Sequence, residues 1–199
     1  MRVHMIRHGK TIANEKRLYC GQTDLPLSEN GIEEIAFLKS QGVYPPNADI
    51  FFTSGLIRCE QTLDIIYGKT KTDRKIIPDT AEFKFGAFEM KSYEELREQA
   101  DYQAWITDET GDYQCPGGES RNQFERRVIG GFNRILNEVR KISGDCSAFV
   151  VCHGGTVACI MEYLCPKTQN FYEWQPKPGR GYTLICDGVS GQFHTYNKI

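Results

Sequence analysis

The chain has 199 residues, with 24 Lys+Arg against 26 Asp+Glu (formal net charge -2), and is 40% hydrophobic, 12% aromatic and 25% charged. That balance excludes a disordered chain, and near-neutral charge argues against a nucleic-acid binder, whose domain is usually clearly basic. No apolar run approaches the ~20 residues of a membrane span, and residues 1–7 lack the apolar core of a secretory signal, so a cytoplasmic protein is expected.

Strand-like and helix-like segments alternate along the chain, which points to an α/β fold in a single domain over residues 1–199. Residues 3–7 predict a first strand. Ser28 suits the N-cap of an amphipathic helix carrying Ile32, Ile35, Ala36 and Leu38. Residues 49–53 predict a second strand, running through Ser54-Gly55 into a helix with Leu56, Cys59, Leu63 and Ile66. Residues 75–77 predict a short third strand ahead of Pro78. The polar, aromatic stretch 91–116, with helical pieces around 93–105, is expected to be a lid-like insertion over one end of the sheet. Glu119 opens a long helix to about residue 141. Residues 148–152 do not alternate, which predicts a central strand buried on both faces. A helix over about 156–164 follows. Residues 182–186, Asp187-Gly188 and 192–196 then predict a hairpin. The expected architecture is a three-layer α/β/α sandwich, mainly parallel, with an antiparallel C-terminal edge hairpin.

The eight cysteines form no C-x-x-C pair, which speaks against a structural zinc site. A domain of this size buries enough core to stand without disulfides.

Of the four histidines, two stand directly after a predicted strand and before glycine, in Arg7-His8-Gly9 and Cys152-His153-Gly154-Gly155. Ligands of open α/β sheets bind beyond the carboxyl ends of the strands, so both imidazoles are expected to face one crevice. Glycine at each site lets the backbone turn sharply and approach a ligand closely. His4 and His194 read as ordinary strand residues. Arg58, at the start of the helix after the second strand, joins Arg7 at the same edge, and guanidiniums suit bidentate capture of phosphate or carboxylate. Glu82, between Ala81 and Phe83, is a candidate general acid. Alone, Arg58 reads as a solvated surface residue and Glu82 as a structural carboxylate.

Six segments together carry a family resemblance: RHGKT at 7–11 with Asn14, GQTDLPLSENG at 21–31, SGLIRCEQT at 54–62, AEFKFGAFE at 81–89, PGGES at 116–120 and CHGG at 152–155. In this order and spacing the chain resembles the histidine phosphatase superfamily. The similar branch is the phosphoglycerate mutase-like one, which includes cofactor-dependent mutases and small phosphomonoesterases of the α-ribazole phosphatase type. The resemblance implies that His8 becomes phosphorylated, that His153 is the second pocket histidine, and that Arg7, Arg58 and Asn14 hold phosphate. It implies Glu82 as acid/base and places Gly21, Gln22 and Gly154 at the substrate. The departures are Lys10 where the family often has Glu, Phe88 where Trp is frequent, and Met90 where Gly is usual.

The chemistry agrees with this assignment. Flanking arginines disfavour protonation of a nucleophilic imidazole, and Arg7, Arg58 and a protonated His153 can stabilise the phosphoryl group without a metal. No cofactor is expected. The expected partner is a small phosphorylated substrate, with neither nucleic acid nor membrane, while self-association as a homodimer stays open. Gly-Lys-Thr occurs at 9–11 and 68–70, but His4 and Leu63 stand where a P-loop needs its first glycine. A phosphomonoester hydrolase therefore stands beside two alternatives, a cofactor-dependent phosphoglycerate mutase and a non-catalytic phosphate-binding module. Glu82 favours an enzyme over a sensor. The family's mutases are typically longer, with segments that close the site against water, which favours the hydrolase. The aromatics Tyr93, Tyr102, Trp105 and Tyr113 are expected either to line the mouth or to cover the core.

Overall fold

The computed structural model describes residues 1–69, 74–166, 168–186 and 193–199. Strands β1 (Arg2–Arg7), β2 (Ile50–Thr53), β3 (Arg74–Ile76), β4 (Ser147–Cys152), β5 (Gly181–Cys186) and β6 (Phe193–Lys198) form one sheet in the order β3-β2-β4-β1-β5-β6. The first four run parallel, while β5 is antiparallel to β1 and β6 antiparallel to β5. This is the mixed sheet expected from the sequence. The proposed hairpin turn at Asp187-Gly188, with Gln192, lies outside the described residues.

The non-alternating run Ala148-Phe149-Val150-Val151-Cys152 is buried throughout because β4 lies between β1 and β2 with helices over both faces. Val3, Met5, Phe52, Ala148 and Val150 pack with Phe132 and Ile135 of helix α6 (Arg121–Val139) and with Val157 and Met161 of α7 (Gly154–Leu164). Their neighbours in sequence, Ile6, Phe51, Phe149 and Val151, pack on the opposite face against Ile35 and Leu38 of α2 (Glu29–Ser40) and Cys59 and Leu63 of α3 (Ile57–Tyr67). Each such side chain contributes about 1.5–3 kcal/mol on full burial, so the period-2 division of the strands fixes three layers.

Local chemistry sets the helix starts. Ser28 Oγ accepts the Gly31 N–H at 3.1 Å, the cap anticipated from the sequence. Helix α6 begins after Ser120 rather than at Glu119, because Ser120 and Gln123 satisfy each other's backbone N–H groups in a capping box. The equivalent boxes Thr11/Asn14 and Asn170/Glu173 start two one-turn helices, α1 (Ile12–Glu15) and α8 (Phe171–Trp174), too short to show a hydrophobic period. The 91–116 segment holds α4 (Tyr93–Leu96) and α5 (Ala100–Ile106). Its Leu96, Tyr102 and Cys115 are buried in the same cluster as Val3 and Met5. Among the described residues no helix is long and apolar enough to cross a membrane.

Candidate active site

The pairing of β1 with β4 aligns Arg7 with Cys152, so the chains leave adjacent parallel strands at one level. The His8 N–H donates to the Cys152 carbonyl at 3.0 Å. His8 and His153 are thereby brought together, with ring centroids 5.1 Å apart and the planes at 65°. Both imidazoles are buried, His8 at 5% and His153 at 0% exposure.

Their hydrogen bonds assign the tautomers. His8 Nδ1 lies 2.6 Å from the Gly9 carbonyl oxygen; a carbonyl only accepts, so Nδ1 carries the proton and Nε2 keeps its lone pair. Arg58 Nη2 donates to His153 Nδ1 at 3.3 Å, which leaves His153 Nε2 to donate to Ser54 Oγ at 2.9 Å. Burial, followed by the positive charge of Arg58, holds both imidazoles well below the usual histidine pKa. Burial beside two guanidiniums disfavours the protonated His153 expected at the phosphoryl group, and the charge of an arriving anion works against that effect.

Arg58 is 1% exposed, with Nη1 donating to the Thr23 carbonyl at 2.9 Å and Nη2 to the Gly21 carbonyl at 2.5 Å. Arg7 Nη1 donates to the Pro176 carbonyl at 3.1 Å. The Nε atoms of both arginines are buried and have no hydrogen-bond partner among the described residues. Such orphaned donors are rare, because leaving one unmade costs about 1–3 kcal/mol.

Glu82 rests against the first turn of α7, where its Oε2 accepts the Gly155 N–H and its Oε1 the Phe83 N–H, both at 2.9 Å. The glycines beside the histidines also leave room for neighbouring groups. Gly9, Gly154 and Gly155 are absent from the positive-φ residues. A Cβ on Gly154 would sit 3.2 Å from three atoms of the Arg7 guanidinium, and one on Gly155 would sit 2.4 Å from Glu82 Oε1. On Gly9 it would meet Ile35 Cγ1 at 2.8 Å. What each position needs is the missing methyl.

Asn14 Oδ1 accepts from Thr11 N and Oγ1 at 3.0 and 3.2 Å, which turns the amide nitrogen away from the cap. Asn14 and Arg7 line a cavity of about 860 Å³ together with Lys10, Glu15, Arg17 and Pro178. Gly21 and Gln22 sit on a loop whose backbone N–H groups donate to Glu89. The Gln22 side chain is exposed at its edge. Of the two places expected for the aromatics of the 91–116 segment, the mouth or the core, Tyr102 and Trp105 take the core. Tyr102 is buried, Trp105 packs on the core, and the Tyr113 hydroxyl donates to Asp101. Tyr93 is half-exposed and stacks edge-on to Tyr102.

Sequence reasoning missed three contributors. Ser54 holds His153 Nε2, and its place directly after β2 is the same strand-end signal that picked out the histidines. Arg127 grips the backbone beneath Glu82, donating to the carbonyls of Asp79, Ala81 and Glu82 while Glu119 holds its guanidinium at 2.6 and 3.2 Å. Glu89 ties down the loop carrying Gly21. Of the departures from the family pattern, Lys10 pairs with Glu34 at 3.0 Å, and Met90 adopts a left-handed φ of 60°. The latter explains why glycine is the usual residue there.

Known proteins resemble this chain over most of its length. The adenosylcobalamin/α-ribazole phosphatase of Salmonella typhimurium is 30% identical over 194 residues, 96% of this chain and 93% of that protein. A protein of Cronobacter sakazakii named "probable phosphoglycerate mutase GpmB" is 28% identical over 165 residues, covering 82% of this chain and 74% of its own. The crystal structure of the α-ribazole phosphatase from Shigella flexneri superposes with a TM-score of 0.82 at 25% identity, covering 99% of this chain and 96% of that one. The family model of the histidine phosphatase superfamily, branch 1, matches residues 3–198, and the chain belongs to that family.

Proposed function

We propose that this protein is a phosphomonoester hydrolase that works through phosphorylated His8 on a small phosphorylated metabolite. The observation that carries the reading is the bond from His8 Nδ1–H to the Gly9 carbonyl, which leaves Nε2 as a neutral nucleophile between two arginines. Among the described residues the buried Nε–H groups of Arg7 and Arg58 have no acceptor, and phosphoryl oxygens fit that need. The Asn14 amide nitrogen and the Gly154 N–H at the start of α7 add donors, and Gly21 and Gln22 border the leaving group.

In the first step His8 Nε2 attacks phosphorus and the P–O bond to the leaving group breaks. Glu82 gives its proton to the departing oxygen. The charge that spreads over the phosphoryl oxygens is met by Arg7 and Arg58. His153 gains a proton affinity it lacks on its own once the phosphoryl charge lies beside it. In the second step water attacks phospho-His8, Glu82 takes the water's proton, and inorganic phosphate leaves with His8 Nε2 restored.

Similarity over 93% of the Salmonella typhimurium phosphatase, against 74% of the mutase relative, supports hydrolysis over transfer. α-Ribazole 5′-phosphate and 3-phosphoglycerate are the first substrates to compare, with phosphate release and phosphoryl transfer as separate readouts. The decisive experiment traps the intermediate. Protein quenched during turnover of labelled substrate carries label that is stable in alkali and lost in acid, and His8→Ala carries none and does not turn over. Label on another residue, or turnover by His8→Ala, overturns the reading.

A further inference from the structure

We infer that Glu89 is a positioning residue of the phosphate site, holding the loop whose carbonyls hold the Arg58 guanidinium. The inference rests on the proposed role of Arg58 as a phosphoryl ligand.

One Glu89 carboxylate receives four donors. Oε2 accepts the Gly21 N–H at 3.0 Å and the Thr23 hydroxyl at 2.8 Å, and Oε1 accepts the Gln22 N–H at 3.0 Å and the Phe85 N–H at 3.3 Å. The bonds to residues 21–23 turn that loop so that the opposite side of its backbone, the Gly21 and Thr23 carbonyls, faces Arg58 and accepts from both Nη atoms. With those two contacts and His153 Nδ1 engaged, the guanidinium has a single orientation. Gly21 allows the arrangement, since a Cβ there would sit 1.7 Å from the Phe83 carbonyl oxygen and 2.6 Å from Glu89 Oε1. The segment from Glu82 to Glu89 thus carries the candidate acid at one end and the anchor of the arginine loop at the other.

The chemistry demands a carboxylate. An ionised carboxylate is acceptor-only, with about four lone-pair sites for four donors. Glutamine has nearly the same shape but turns one of the two oxygens into an NH₂ group facing two donors. The 21–23 loop then loses a tie, and Arg58 loses the carbonyls that aim it.

The test is Glu89→Gln with Glu89→Asp as the conservative variant, assayed on an alkyl phosphate and with inorganic phosphate as competitive inhibitor. In Glu89→Gln the kcat/KM is expected to fall about 10- to 100-fold, the scale of one charge-assisted hydrogen bond, with a comparable weakening of phosphate inhibition. The acid limb of the pH–rate profile moves upward, because His8 and His153 lose part of the repulsion from Arg58. Glu89→Asp recovers part of both. Glu89→Gln adds no further loss in an Arg58→Ala background. A merely structural role would lower the active fraction and leave the phosphate inhibition constant and the pH limb where they were, and that result overturns the inference. If Glu89→Gln fails to fold, Thr23→Val removes one tie, and phosphate inhibition unchanged in that variant overturns it equally. Full activity in Arg58→Ala sinks the reading of the site itself, whereas a crippled Arg58→Ala beside an unaffected Glu89→Gln sinks only the role of Glu89.

Discussion

Replacing Gly155 with alanine adds one methyl group where α7 meets Glu82. The new Cβ stands 2.4 Å from Glu82 Oε1 and 3.2 Å from its Cδ, whereas ordinary contact begins near 3.4 Å. The carboxylate must therefore retreat by about 1 Å, a misplacement that costs on the order of 10²-fold in rate when the displaced group takes part in chemistry. Folding is affected less. The atoms that move are the end of a flexible side chain, and the gain of alanine over glycine in a helix, up to about 1 kcal/mol, offsets part of the weakened Gly155 N–H bond to Glu82. The expected outcome is a folded protein with Tm within about 2–4 °C of wild type and kcat on an alkyl phosphate down about 10²-fold. p-Nitrophenyl phosphate should be far less affected, because its phenolate leaves without a donated proton. The assay is initial-rate kinetics on both substrates at one pH, paired with thermal melts. Equal losses on the two substrates would refute the assignment of Glu82 as proton donor, and wild-type rates on both would show that its position is immaterial.

Glu82→Gln should lower kcat on an alkyl phosphate with little change in KM and spare p-nitrophenyl phosphate, and, on the reading that Arg7 and Arg58 supply the positive charge, EDTA should leave wild-type rates unchanged; chelator-sensitive turnover contradicts that reading. Met90→Gly should stabilise the fold by about 0.5–1 kcal/mol in a urea titration, since the left-handed backbone strains any side chain; a loss of stability would show that Met90 packing outweighs the strain. The lowered pKa values of buried His8 and His153 mean that the folded protein binds fewer protons than the unfolded chain below the ordinary histidine value of 6.5. Stability should therefore be full above that pH and fall as pH drops toward the folded pKa values, and a flat profile of Tm across pH 7 to 5 would contradict neutral burial of the pair.

The strands and main helices were legible in the sequence because their signals are local. The period of two divides the side chains of β1 and β2 between two faces, the unbroken run through Val150 marks a strand covered on both, and Ser28 caps its helix with its own hydroxyl. The candidate residues were legible for a related reason. His8 and His153 each follow a strand end and precede glycine, and Arg7, Arg58, Asn14 and Glu82 fall in motifs that keep their order along the chain. The one-turn helices α1 and α8 left no period to read, although their capping boxes were written in Thr11/Asn14 and Asn170/Glu173.

Only the tertiary structure decided how these pieces combine. The register that sets Arg7 level with Cys152 pairs segments from opposite ends of the chain, and no local pattern encodes it. Tyr102 and Trp105 read as mouth residues or as cover for the core, and packing decided for the core, because a large ring gains by burial. Gly154 and Gly155 are glycines on account of a guanidinium and a carboxylate brought from β1 and from residue 82, and Glu89 reaches Arg58 through a loop far from both. The sequence by itself thus determined which residues are polar, capped or strand-ending, since those are properties of neighbours along the chain. Which of them touch was settled by folding, because contacts between distant segments follow from the packing of whole layers.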